Sequence, residues 1–419
     1  MRVAVIGAGI SGLAAAYFLS RQHEVFVFEK AERAGGHAWT LELETESGRI
    51  PYDVGFLVYN EQTYPLFTQM LRELRVPTQR SEMSFSFQCN ACRLEYASDN
   101  LLSLLGGPRY IWRTRLHGML VEVLRFYREG RRWLREPDTC STLGEFFCRH
   151  QFSEALFRHF VAPMTAAIWS SPAGTIRNFP LALFLQFFHN HGLLQVRGQP
   201  PWRTIRGGSR EYVSRLAQHL DGRLVLGAPV REVQRGPGGV RLLIEGVGEA
   251  QFDAVVLAVH SDQALALLRD ADAEERSALE AIPYRRNTLV VHSDPGVMPQ
   301  QRRLWASWNY HTPDCKNDSS PLRITYWINR LQSLPADPPI FVTLNPAARL
   351  RPEAVVQRLE FEHPVYTEGV THGQQTLRGL NGKRRTYYAG AYLGYGFHED
   401  GARSGWEVSQ LIARWQAVA

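Results

Sequence analysis

The sequence predicts an α/β fold in which a parallel-sheet domain, assembled from separated stretches of chain, is interleaved with an α+β domain. Three observations carry this expectation. The chain opens on strand, glycine turn, helix, strand and acid; a helical texture takes over from about residue 100; and short apolar strands return later, at Ala254–Val259 and in TYYAGAY. With 419 residues, two domains are the natural expectation.

The opening elements can be justified in order. Val3 to Ile6 is a continuous apolar run of the buried parallel type, Leu13 to Leu19 an Ala-rich helix, and Glu24 to Glu29 a second strand with Val25, Val27 and Phe28 as its apolar side chains. Between strand and helix, Gly7 suits a tight turn, Gly9 lets phosphates approach the backbone N–H groups at the helix start, and Gly12 lets helix pack on strand. Glu29 is positioned to accept hydrogen bonds from ribose hydroxyls. This is the pattern of a Rossmann-type dinucleotide-binding unit, and Ser11 and Lys30 beside these positions join the expected cofactor set.

Farther along, LHGMLVEVLRFY, STLGEFFCRH, SEALFRHFVAPMTAAI and LALFLQFFHNH carry apolar residues at helical spacing. Strands are expected at LVLG, PVREVQ, VRLLIEG, NTLVVHS, RITYWIN and PIFVTLN, and a last helix from about Gly405 to Ala417. The expected division is a discontinuous cofactor domain of residues 1–75, 205–265 and 375–419, and a substrate domain of residues 76–204 and 266–374.

Composition narrows the function. The 44% hydrophobic and 21% charged content is that of an ordinary globular chain. No run of eighteen apolar residues suggests a membrane span, and a strand beginning at Val3 leaves no room for a signal peptide, so a cytoplasmic location is expected. The net charge of +6 comes from dispersed basic residues without a recognised nucleic-acid module, so no nucleic-acid partner is expected. One stretch, residues 109–135, combines arginines with Ile111, Trp112, Leu120, Leu124 and Trp133. It reads as an amphipathic helix lying on anionic lipid at the inner membrane surface, or as an ordinary solvated face. Five cysteines fit a reducing compartment. Cys89 and Cys92 form a CxxC, but no second CxxC or nearby His pair accompanies it, so no metal site is expected and the thiols read as incidental to a hairpin.

Gly35 and Gly36, following Glu29, extend the motif beyond a nicotinamide fingerprint. With them, YDVGF, IRGGSREYV, PVREV, VVLAVHSDQA and AGAYLGYGFHEDGARSG, the chain resembles the flavin amine oxidase, protoporphyrinogen oxidase and phytoene desaturase superfamily. That resemblance implies FAD, with Gly55, Val230 (adenine contact), Gly390, Phe397, Glu399, Asp400, Gly401 and Ser404 in the cofactor set. Relatives carry arginine where this chain has His37, which reads either as a neighbour of the phosphates or flavin or as a packing residue. They carry an acid where this chain has Ala391, a contact that Glu399 or Asp400 is expected to replace. No cysteine falls in the C-terminal segment, so FAD is expected to bind noncovalently. The phrases DVGFLVYN, IWSS, NHGLL, WRTIRGGS, WASWNY and FEHPVY are similar to a bacterial group of NAD/FAD-binding proteins and to the flavin domain that plants fuse to cyclopropane fatty acid synthase. This likeness implies lipid chemistry and a lipid methyltransferase as partner.

Flavin accepts a hydride, so the protein must hold an activated C–H in a dry site and supply a base where a proton is also lost. The amine oxidases of the superfamily commonly use a lysine near the flavin; Lys30, Lys316 and Lys383 do not match it. Aromatic helices in the substrate domain suit a hydrocarbon chain. His191, Tyr59, Asn60 and His398 are the expected polar residues at the flavin, with His191 the leading base. The expected activity is hydride abstraction from a lipid or other long apolar substrate, giving a desaturated or isomerised product. The alternatives are an amine oxidase, with Tyr392 and Tyr395 as amine-binding rings, and a catalytically inert flavoprotein serving a methyltransferase.

Overall fold

The computed structural model describes residues 1–46, 48–98, 114–171, 173–317, 323–335, 337–346 and 350–418. Its first sheet is parallel and five-stranded, built from Arg2–Ile6 (β1), Glu24–Phe28 (β2), Leu224–Val225 (β10), Ala254–Leu257 (β14) and Thr386–Tyr388 (β20) in the order β10-β2-β1-β14-β20. Val5 sits opposite Val27 on one side and Val256 on the other. The central strands are apolar on both faces because both are covered, as parallel sheets require.

Helix α1 (Ile10–Leu19) is buried along nearly its whole circumference. Its outer side is covered by the C-terminal helix, here α7 (His398–Val418), which starts two turns before the expected Gly405. Two glycines of the helix permit this. A Cβ on Gly405 would stand 2.4 Å from the Ser11 carbonyl oxygen, and one on Gly401 2.6 Å from the Ile10 side chain. Their absent side chains let two helix backbones approach closely.

Two antiparallel pieces flank this domain: the hairpin Thr40–Thr45 (β3) with Gly48–Asp53 (β4), and the sheet of Val230–Gly236 (β11), Gly239–Ile244 (β12) and Gly248–Phe252 (β13). The loop Gly207–Ser209 is tied to β4 through Asp53. Its carboxylate accepts from Thr40 Oγ1 (2.6 Å), the Ser209 amide (2.9 Å) and Ser209 Oγ (2.7 Å). Gly208, at φ +88°, passes so close to Thr40 that a Cβ would collide at 2.4 Å. Helix α6 (Arg210–His219) follows.

The substrate side rests on a seven-stranded sheet with the order β19-β15-β18-β17-β16-β7-β8. Its strands are Phe85–Cys89 (β7), Leu94–Ala97 (β8), Tyr284–His292 (β15), Trp308–Thr312 (β16), Ile324–Trp327 (β17), Phe341–Leu344 (β18) and Val355–Pro364 (β19). All pairings are antiparallel except that of β7 with β16. A small sheet of Tyr59–Asn60 (β5), Thr78–Arg80 (β6) and Trp202–Ile205 (β9) links the two sides. Helix α2 (Pro65–Glu73) packs beside it, while α3 (Thr114–Arg135), α4 (Ala162–Trp169) and α5 (Leu181–Asn190) carry the helical texture expected there. Residues 109–113 of the basic stretch lie outside the described residues. No helix among the described residues is long and apolar enough to cross a membrane.

Candidate cofactor and substrate site

The glycine turn between β1 and α1 has the geometry a pyrophosphate needs. Gly7 lies at φ +100°, and a Cβ there would meet the Ala258 carbonyl oxygen at 2.5 Å; a Cβ on Gly12 would stand 1.9 Å from the Gly7 oxygen. Both positions therefore demand glycine. Gly9, at the N-cap of α1, has no protein atom within 4 Å of where its Cβ would lie. The open space falls at a helix N-terminus, where unpaired N–H groups favour an anion. Glu29 holds the turn, accepting from the Ala8 amide at 2.8 Å and the Ala31 amide at 3.0 Å. Each carboxylate oxygen keeps a lone pair for a ribose hydroxyl. Lys30 beside it is exposed, and Ser11 is buried under α7.

Gly35 and Gly36, at φ +111° and +57°, fold back over this turn; the Gly35 amide donates to the Ala8 oxygen at 2.8 Å. A Cβ on Gly36 would come within 3.2 Å of Gly9 Cα. Arg33, which the sequence reading passed over, donates to the Gly36 carbonyl at 2.8 Å and lies 3.7 Å from the Trp39 ring centroid. It is the cation beside the glycine pair; its signal was its place between Glu29 and Gly35. His37 donates through Nε2 to the Glu362 carbonyl (3.2 Å) and packs against Phe361 and His363, with ring centroids 4.9 and 5.4 Å apart. Burial pushes its pKa down to about 4. Of the two readings, these contacts favour a neutral packing residue. Gly55 accommodates the same segment: a Cβ would stand 2.0 Å from the His37 oxygen.

At the other end of the expected cofactor path, Val230 starts β11 directly after Pro229, where the Ala228 amide donates to the Glu29 carbonyl at 2.9 Å. Val230 thus lies close to the acid expected to hold the ribose.

The polar residues of the C-terminal segment make internal hydrogen bonds. Ser404 Oγ accepts from the Gly390 amide (2.9 Å) and donates to the Gly401 carbonyl (2.8 Å). The Glu399 oxygens accept from the Leu66 and Phe67 amides at 3.2 and 3.0 Å, capping α2. Asp400 accepts from the Phe397 amide (3.0 Å) at the start of α7, and burial raises its pKa to about 7. Both acids thus serve helix starts, and their carboxylates keep further acceptor capacity.

The four expected catalytic residues lie along one chain of aromatic ring contacts, with His191 and His398 at its two ends. His191, at the end of α5, stacks on Phe187 (centroids 3.9 Å) and lies 5.9 Å from Trp202, 6.1 Å from Tyr64 and 6.2 Å from Phe397. Its Nδ1–H donates to the Phe187 carbonyl at 3.0 Å, whereas the buried Nε2 has no partner among the described residues. Burial pulls its pKa down to about 4, so Nε2 carries a free lone pair at neutral pH. Tyr64 continues to Tyr59 (6.2 Å), Tyr59 to Phe67 (5.5 Å), and Phe67 to His398 (5.5 Å). Asn60 is buried; its Oδ1 accepts from the Thr63 amide while its Nδ2 has no partner. His398 faces the other way, stacked on Phe56 at 3.5 Å and sharing a hydrogen bond with Tyr212 Oη at 2.9 Å. Its nitrogen is therefore occupied, and among these residues His191 has the one free imidazole nitrogen. All three lysines are exposed.

A glycine turn with open space at a helix N-terminus, a ribose-side acid and a buried aromatic seam in the interleaved domain define a dinucleotide-dependent enzyme of two domains. The chain belongs to the flavin-containing amine oxidoreductase family, whose family model matches residues 10–297. The cofactor this implies is FAD, and the enzyme is an FAD-dependent oxidoreductase. The chain is 28% identical over 341 residues to a Mycobacterium tuberculosis protein provisionally named flavin-containing monoamine oxidase AofH, covering 77% of this chain and 70% of that one. Its fold is shared with cyclohexylamine oxidase from Brevibacterium oxydans (TM-score 0.71, 15% identity, 99% of both chains). A CLA-producing fatty acid isomerase from P. acnes is similar to the same degree (TM-score 0.69, 16% identity, 99% of this chain and 98% of that one).

Proposed function

We propose that this enzyme takes a hydride from an activated C–H of a lipid or other long apolar substrate, yielding a desaturated or double-bond-isomerised product. The observation that carries this reading is the seam around His191. A single unpartnered imidazole nitrogen lies among Phe187, Trp202, Tyr64 and Phe397, with Trp169 and Phe188 behind Phe187. Such walls bind a hydrocarbon chain and exclude water. A neutral imidazole there can take a proton. FAD, when bound, supplies the hydride acceptor. The N–H groups at the start of α1 would hold its pyrophosphate and Glu29 its ribose, without a covalent link, since no cysteine lies between Gly390 and Ser404. The sequence phrases similar to the flavin domain of plant cyclopropane fatty acid synthase support the same substrate class.

Amine oxidation is the second reading. The names of the monoamine and cyclohexylamine oxidase relatives favour it, as does the buried Tyr392 hydroxyl, which has no partner among the described residues. The deciding experiment is an anaerobic screen of flavin bleaching at about 450 nm against unsaturated fatty acids, phospholipid extracts and simple amines. Lipid-dependent bleaching, or a shifted double bond detected by mass spectrometry, is expected. Bleaching by amines alone overturns the lipid reading. Bound FAD that nothing reduces, together with a co-purifying methyltransferase, would make the chain an accessory flavoprotein. Contact with anionic lipid belongs to the same proposal: α3 exposes Val121 and Leu124 beside Arg128, Arg132 and Arg135. Co-sedimentation with phosphatidylglycerol vesicles checks it.

A further inference from the structure

The fold changes the meaning of the CxxC. The expected hairpin forms, β7 running antiparallel to β8, but β7 also pairs in parallel with β16, more than two hundred residues away, with Cys89 opposite Thr312. The Asn90 and Ala91 amides donate to the carbonyls of Thr312 and Pro313 at 3.1 and 3.0 Å, so the turn after β16 sits against the CxxC turn. It delivers a third thiol. The sulfurs of Cys89, Cys92 and Cys315 all lie within 4.8 Å of one another.

A fourth donor comes from the helical region. His159 Nε2 lies 3.8 Å from Cys92 Sγ and 3.3 Å from Cys315 Sγ. The residue sits in a π-helical turn, Phe157–Val161, a local widening that re-aims side chains and is frequent at functional sites. Its backbone is held by Tyr96 Oη, which donates to the His159 carbonyl at 2.7 Å, and its ring rests edge-on to Phe87 (centroids 5.6 Å).

We propose that Cys89, Cys92, Cys315 and His159 form a structural zinc site. In a tetrahedral Cys3His site, Zn–S bonds of about 2.3 Å and a Zn–N bond of about 2.0–2.1 Å set sulfur-to-nitrogen separations near 3.5 Å. The two observed separations bracket that value. Sulfur-rich tetrahedral coordination selects zinc over harder cations, and four protein ligands leave no open position, so the role is structural. The metal would pin three chain segments together: the β7–β8 hairpin, the π-turn and the turn after β16. This inference does not depend on the substrate reading.

The test uses the full-length flavoprotein, purified without chelator under reducing conditions. It should contain about one zinc per chain by elemental analysis. Cobalt(II) added to stripped protein should give the intense red-region bands and thiolate charge-transfer absorption of a tetrahedral sulfur site. Cys315→Ser and His159→Ala should each lose the bound zinc, whereas Cys148→Ser, an exposed thiol outside the cluster, should keep it. Flavin absorbance should be unchanged on stripping. Whether or not the variants fold, the wild-type cobalt titration decides alone: folded, reduced protein that takes up neither zinc nor cobalt overturns the proposal. So does a Cys89–Cys92 disulfide that persists in the freshly purified protein.

Discussion

The nucleotide turn and the aromatic seam are built by opposite means. At the turn, atoms are excluded: Gly7, Gly12 and Gly55 are there because a Cβ would collide with backbone. In the seam, rings from β5, α2, α5 and the C-terminal segment gather around one nitrogen that has no partner among the described residues. The first kind of site tolerates almost no substitution but says little about substrate. The second is chemically specific, and each ring contributes only part of the packing.

The sharpest way to break this contrast is at the turn. Gly12→Ala puts a Cβ 1.9 Å from the Gly7 oxygen. It should cost at least ~3 kcal/mol and abolish flavin binding, read by urea denaturation and absorbance. Gly9→Ala meets no protein atom, so the apoprotein should keep its stability within ~0.5 kcal/mol while flavin is lost. A Gly9→Ala protein that retains flavin would remove the pyrophosphate from this turn.

In the seam, His191→Ala should retain flavin yet lower the rate of flavin reduction by about 10²–10³-fold. An unchanged rate would move the chemistry elsewhere. With the pKa at about 4, wild-type kcat/KM should show no histidine inflection between about pH 5.5 and 8.

Acid unfolding comes next. His37, His191, His260 and His292 are pushed down to about 4 and His363 and His398 to about 3, all by burial. Their unfolded values lie near 6.5, so the unfolded chain binds more protons below that pH, and stability falls as pH drops from about 6.5 toward 4. Asp53 and Asp400, raised to about 6 and about 7, act in the opposite sense and soften the slope. Urea midpoints should therefore decline on acidification. His398→Phe, removing one buried imidazole, should flatten the decline by up to about one proton.

The smallest effect is expected from Glu399→Gln, which weakens the cap on α2. A loss of ~1 kcal/mol with flavin content unchanged would identify the residue as a helix cap. Loss of flavin would return it to the cofactor.

What could be read from the sequence follows the same divide. Gly7, Gly9, Gly12 and Glu29 were legible because backbone sterics and a short chain interval write the site locally. The meeting of His191 with Tyr64 and Phe397 was partly legible, since aromatic residues in distinctive phrases marked the segments though not their contacts. The helix-start contacts of Glu399 and Asp400 were not legible, because an acid near a glycine segment looks the same whether or not it caps a helix. Cys315 and His159 gave no local sign of their neighbourhood with Cys89, because only the parallel pairing of β7 with β16 and a widened helical turn bring them together.

The packing of α7 on α1 has a consequence for biosynthesis. The helix that carries the nucleotide turn is made well before β20 and α7, which complete its sheet and cover its outer side. Until those later elements are added, α1 presents an uncovered stripe of alanines and the edge of β14 is unpaired, the kind of surface through which partly made chains aggregate.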